Sequence, residues 1–327
     1  MTATASARTA SPTNRARWFD LSPTLLRTAL PFVSLALMLV AIGWLNPRAI
    51  SYMGFNLMLS LAIPVALATI AQMFVITVNE LDLSAGLFIS FITSVSVTML
   101  NDTPLLGIAV IAGAVLVYAA VGALIHLRNL PSIVVTLGMA FVWQGLALMV
   151  LPQPGGRAPA WLQSLMAVHI PFVPFPIVAA VVIALVVHLA LMKTSYGAVL
   201  RGIGGNQAAV ARAGWSILHA KVLAFTLAGV FGVLSALALV GLSTAGDPNI
   251  GAGYTLLAIA GVILGGGEFM GGRVSAVGAV AGALTLTLAS ASLLSFMHIP
   301  TDWQTGANGV ILIVVLALRA MIDRRPA

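Results

Sequence analysis

Apolar runs of bilayer length follow one another along almost the whole chain, at 28–46, 52–78, 84–100, 105–127, 131–151, 175–192, 220–241, 253–268, 274–296 and 304–321. A helix needs about 20 predominantly apolar residues to cross the hydrocarbon layer, so these runs predict ten spanning helices in an all-α polytopic fold. The run 52–78 exceeds one crossing and contains Pro64, which predicts a tilted helix or a break near that proline. Between 152 and 174 the residues Pro152, Pro154, Pro159, Pro171 and Pro174 exclude a full span. A short interfacial helix around 160–168 fits there instead. The one long polar interruption runs from Lys193 to Lys221.

Charge gives the runs an orientation. With ten spans and the N-terminus inside, thirteen Lys and Arg residues fall on inner segments, and only Arg48 and Arg157 fall outside. The positive-inside rule therefore predicts both termini in the cytoplasm of a multi-pass inner-membrane protein. The chain divides into a tail 1–27, a membrane domain 28–322 carrying a cytoplasmic loop 193–220, and a short tail 323–327. Residues 1–27, rich in Ser, Thr, Ala and Arg, read as a tail held on the cytoplasmic side, although a presequence shares this composition.

Composition removes several classes. With 60% hydrophobic and 7% charged residues, the chain is outside the range of water-soluble domains. Its net charge of +7 lies at span boundaries without interleaved aromatics, so it reflects topology and not nucleic-acid binding. The absence of cysteine excludes disulfides and thiolate metal sites. His126, His169, His188, His219 and His298 show no metal-ligand spacing, and no metal or other cofactor is expected.

The glycines of the C-terminal half, with Gly267/Gly271 and Gly278/Gly282 at small-xxx-small spacing, predict close helix packing and a cytoplasmic turn at Gly271-Gly272. No phosphate-cradling Gly-x-x-x-x-Gly-Lys-Ser/Thr occurs, so ATP chemistry is not expected in this chain. The acids Glu80, Asp82 and Glu268 fall at predicted cytoplasmic ends. Asp82 and Ser84, followed by Gly86, read as the cap of a helix beginning near Ser84. A proton relay needs an acid in mid-span, and the runs place none there. Gln72, Thr136 and Gln144 lie in mid-span and Asn56 near a span end. They can line a path for a hydroxyl-rich solute, or bond neighbouring helices at about 0.6 kcal/mol each.

In the polar loop, Gly204-Gly205 permits a sharp reversal and Asn206 is a good N-cap. The residues from Gln207 through Ala209 to Arg212 and Ala213 are strong helix formers, and Gly214 suits the end. About two turns, roughly 12 Å, are predicted on the cytoplasmic face. On spacing alone this is equally an ordinary solvated connector.

These residues carry a resemblance. Gly204-Gly205-Asn206-Gln207-Ala208-Ala209 with Arg212-Ala213-Gly214 resembles the cytoplasmic loop of permease subunits from ribose/xylose-type ABC sugar importers. Three further segments are similar, in the same order: Glu80-Leu81-Asp82-Leu83-Ser84-Ala85-Gly86, Pro131 to Met139, and Leu264-Gly265-Gly266 through Gly271-Gly272-Arg273. The likeness covers about 50–325. It implies a non-catalytic permease in the type II ABC importer architecture, paired as a homodimer in the lipid bilayer. It also implies docking to ATP-binding-cassette ATPase subunits on the cytoplasmic side, with solute delivered by an extracytoplasmic solute-binding protein. By that likeness Asn206 to Gly214 is the coupling helix. The chain departs from the pattern at Thr255-Leu256-Leu257, where the family has Glu-Leu-Asp, and at Gln207 and Trp215. Rival readings are a permease for branched-chain amino acids or nucleosides, an ion-coupled secondary transporter, and a membrane enzyme. The last lacks a paired His/acid constellation in the spans.

Overall fold

The computed structural model describes residues 23–268 and 271–293, with a few positions between 306 and 313. Twelve α-helices make up the described part: α1 Pro23–Leu45, α2 Tyr52–Ser60, α3 Ala62–Thr77, α4 Ala85–Asp102, α5 Pro104–Leu127, α6 Ser132–Val150, α7 Ala160–Met166, α8 Phe175–Lys193, α9 Ser195–Arg212, α10 Ile217–Ser243, α11 Tyr254–Leu264 and α12 Ala276–Thr287. Helices fall on nine of the ten expected apolar runs. The tenth run, 304–321, and the tails 1–22 and 323–327 lie outside the described residues, apart from scattered positions. Among the described residues, five helices are long and apolar enough to cross a membrane, and α2 with α3 adds a sixth if the bent pair is one span.

That pair breaks as expected, with a 42° bend, but the hinge is at Leu61 and not at the proline. Pro64 occupies the first turn of α3, where its missing N–H would have no partner in any case. Every residue of α3 is buried, so α3 is the axis around which the other helices pack. One core joins it to α8, α9, α10 and α12 through Ile70, Met73, Val187, Leu200, Ala224 and Ala283. A second joins it to α4, α5, α6 and α10, centred on Phe88, Tyr118 and Trp143, whose ring centroids lie 4.5–6.2 Å apart.

In lipid, every buried polar group needs a partner inside the protein. Six hydroxyls within the helices meet that demand locally: Thr69, Thr77, Ser94, Ser96, Thr226 and Thr285 each donate to the carbonyl four residues earlier, at 2.6–3.0 Å.

The expected glycine packing exists with different partners. Gly278 and Gly282 of α12 meet Gly265 and Gly261, another pair four apart at the end of α11, so closely that a Cβ on Gly265, Gly278 or Gly282 would strike backbone. Gly267 and Gly271 do not form a helix face. Gly271 and Gly272 have φ of +75° and +80° and turn the α11–α12 hairpin.

Two segments depart from the expected helix-to-helix turns. Residues 79–84 leave α3 as a non-helical strap, and α4 begins inside the bundle. Residues 244–253 enter from the opposite end, and α11 stops at Leu264, so it has only 11 residues in place of the expected 253–268. The strap and this second segment meet where Gly86 and Gly251 cross in contact.

Candidate functional site

The end of the bundle opposite α7 carries the polar loop. Lys193 closes α8, and the Thr194 hydroxyl accepts from Gly197 N–H at 3.0 Å to begin α9. The expected loop is thus helical from Ser195 onward. Val199, Leu200 and Ile203, buried at helical spacing within 195–205, and the N-cap threonine before them were readable signals of this that the expected loop passed over. At Asn206 the backbone leaves helical geometry (φ −157°, ψ 91°), and its Oδ1 accepts from Ala209 N–H at 3.0 Å. Asn206 therefore both breaks the chain and caps a second short helix through Arg212. Gly214, with φ +85°, ends it, and Trp215 N–H closes the turn on Val210 O at 3.3 Å. Residues 205–209 and 211–216 are exposed, and an apolar groove of about 510 Å³ opens between the two arms of α9.

The glycines before this helix have separate roles. Gly205 has open space around it, whereas a Cβ on Gly204 would strike Gly272 N and Thr77 O. Gly204 thus seats the loop on the end of α3 and on the hairpin, where Gly272 N–H donates to Thr77 O at 3.3 Å. The hairpin is closed by Glu268 N–H to Arg273 O at 3.0 Å and by the Arg273–Glu268 side-chain pair at 3.5 Å. Beside it, Asn79 takes φ +61° to end α3, and Glu80 pairs with Lys221 from the second turn of α10.

From Glu80 the strap runs inward along α6. Leu81 N–H donates to Ser132 Oγ at 3.1 Å, and Leu83 N–H to Thr136 Oγ1 at 3.0 Å. Gln72, in the amide orientation that satisfies both groups, donates to Asp82 O at 3.1 Å and accepts from Asp82 N at 3.2 Å. The Asp82 carboxylate, 1% exposed, accepts from Ser84 N at 2.7 Å, Ser84 Oγ at 2.6 Å and Tyr118 Oη at 2.8 Å.

Two expectations change here. Asp82 is not at a helix end near water: Tyr118 lies nine residues inside the end of α5, about 13 Å at 1.5 Å per residue. Ser84 stands at the N-cap of α4 but makes no side-chain cap bond. Its hydroxyl is spent on Asp82, and Gly86 N–H is taken by Thr255 Oγ1 at 2.8 Å instead. Thr255, the departure from the family pattern, is therefore a structural acceptor at the Gly86–Gly251 crossing, a role its position in sequence did not signal.

Of the expected path residues, the structure brings Gln72 and Thr136 together on the strap, both buried at 1% exposure. They act as fasteners, and Asn56 and Gln144 are not with them. Asn56 is half-buried on α2, and its carbonyl accepts from Ser60. Gln144 donates to Asn249 Oδ1 at 2.8 Å, where 244–253 enters the bundle. Because Thr136 Oγ1 is the acceptor for Leu83 N–H, Thr136→Val should destabilise the fold by about 1–3 kcal/mol through that unpaired donor. Unfolding by SDS titration measures it; an unchanged midpoint would show that the strap is not fastened there.

Comparison with known proteins bears on this geometry. The family model described as "Branched-chain amino acid transport system / permease component" matches residues 53–316. A probable ABC transporter permease protein of Sinorhizobium fredii is 28% identical over 90% of this chain and 90% of its own length. A ribose import permease protein of Bacillus subtilis is 27% identical over 88% of this chain and 91% of its own. An L-arabinose ABC transporter permease protein of Azospirillum brasilense is 29% identical over 84% and 80%. No solved structure matches the chain.

Proposed function

The chain belongs to the branched-chain amino acid transport system / permease component family, and we propose that it is the translocation subunit of an ABC importer for a monosaccharide or similar polyhydroxylated solute. Relatives named for ribose and L-arabinose, matching most of both chains, support the sugar reading over branched-chain amino acids. The chain is a multi-pass membrane protein, and a partner chain hydrolyses the ATP.

The observation that carries the mechanical part is the Asn206-capped helix. Two turns stand exposed at one end of an otherwise apolar bundle, with Gly204 seated on α3 and Gly214 at the far side. A short rigid helix so mounted can be held by a soluble ATPase and move the helices attached to it. We place this end in the cytoplasm, because Lys193, Arg201, Arg212, Lys221 and Arg273 gather there. A second copy of the chain completes the path, and an extracytoplasmic binding protein supplies the solute.

The test uses proteoliposomes holding the full chain, its co-purifying ATPase and binding protein, and radiolabelled D-ribose, L-arabinose or leucine outside. ATP-dependent accumulation of a sugar and not of leucine is expected, and none by the chain alone. Arg212→Glu should lower uptake at least tenfold while membrane insertion is unchanged. Leucine accumulation would overturn the solute class. Normal uptake by the variant, with normal ATPase association, would overturn the lever.

A further inference from the structure

Lys221 and Glu80 are odd residues to bury. Their side chains are 10% and 13% exposed, between the start of α10 and the first residue of the strap after Asn79. A buried ion pair loses much of its attraction to desolvation, and apolar residues of similar volume often serve stability as well. What an ion pair adds is register, because only one relative placement of the two segments satisfies it.

The segments it joins matter. On one side, Lys221 lies seven residues after Gly214, and Ser216 caps α10 by accepting from His219 N–H at 3.3 Å. Any displacement of the short helix is therefore delivered to the first turns of α10. On the other side, the strap is fastened residue by residue: Leu81 to Ser132, Asp82 to Gln72 and Tyr118, and Leu83 to Thr136. Its far end is Gly86, bonded to Thr255 and crossing Gly251, whose own N–H is held by Ser90 Oγ at 2.9 Å. A segment pinned at Leu81, Asp82, Leu83 and Ser84 has little slack with which to absorb a push. Asn249, two residues before Gly251, is exposed on the segment that enters from the opposite end.

We infer that the Glu80–Lys221 pair is the positioning link that carries movement of the short helix along the strap to the Gly86–Gly251 crossing, so that nucleotide on the ATPase changes exposure of the 244–253 segment. This rests on the reading of Asn206 to Gly214 as the ATPase contact.

The chain has no cysteine, so Asn249→Cys introduces a single thiol for a membrane-impermeant maleimide. The assay uses the full chain in nanodiscs with its ATPase bound, comparing labelling rates without nucleotide and with ATP plus vanadate. Nucleotide should change the rate at least threefold when the pair is intact and in Lys221→Arg. The change should vanish in Glu80→Gln and in Lys221→Met, with the ATPase still co-purifying, and return in the exchange Glu80→Lys/Lys221→Glu. A merely structural pair would lower thermal stability yet leave the nucleotide response in whatever protein remains folded. A full response in both single variants overturns the link, as does no response with the pair intact. Arg212→Glu, run in parallel, separates the two ideas. If that variant keeps both ATPase and response, the lever reading fails, whatever the pair variants do.

Discussion

Alanine at Gly86 or at Gly251 is expected to reduce the yield of folded protein below a tenth of normal, whereas alanine at Gly113 or Gly145 leaves it unchanged. A Cβ on Gly86 would fall inside contact distance of Gly251 O and 2.7 Å from Thr255 Oγ1, and a Cβ on Gly251 would strike Gly86 O. The obstacles are backbone atoms at the two crossing segments, so no rotamer change relieves them. Separating the segments would break the bonds from Gly86 N–H to Thr255 and from Gly251 N–H to Ser90. Each unpaired N–H so deep in the bundle costs roughly 2–7 kcal/mol. Gly113 and Gly145 have nothing within 4 Å of the added carbon. Gel filtration of fluorescent fusions after detergent extraction reads the outcome. Normal yield with alanine at position 86 or 251 would mean that the segments do not approach so closely.

The same crossing shows which parts of the fold can be read from sequence. Apolar run length placed α5, α6, α8 and α10 well, because a helix in lipid must satisfy its own backbone and so declares itself by length. The cap of the short helix was legible for a similar reason: Asn206 and Gly214 act on their immediate neighbours. The strap was not legible. Whether Glu80 to Ser84 turns at the surface or descends depends on hydrogen-bond partners at Ser132, Thr136 and Tyr118, which lie 34 to 55 residues away in sequence. For the same reason, Gln72 and Thr136 carried the polarity of path residues without their position. The shortened α11 was hidden because the expected run 253–268 continues through Gly265 to Glu268, which the hairpin uses. Gly204 and Gly205 look alike as letters, and only the packing against Thr77 and Gly272 separates them.

Asp82 provides the second large effect, and the two natural substitutions should differ sharply. Asp82→Ala leaves Ser84 N–H, Ser84 Oγ and Tyr118 Oη without their acceptor in a fully buried site. Ser84 Oγ and Tyr118 Oη, 3.2 Å apart, can pair with each other. Two donors then remain unpaired, and at about 1–3 kcal/mol for each the loss is of order 2–6 kcal/mol, to which the vacated volume adds. Asp82→Asn keeps one oxygen for the Ser84 donors and offers an amide to Tyr118 Oη, which can accept it once its own proton turns to Ser84 Oγ. Its loss should stay below about 1 kcal/mol by the same scale. SDS unfolding midpoints rank the three chains, and ATP-driven uptake should fall in the same order, because the strap is fastened through this residue. If alanine and asparagine were equally tolerated, the carboxylate would not be the anchor. Equal and severe losses would instead show that the negative charge, and not the acceptor geometry, holds the strap in the bundle.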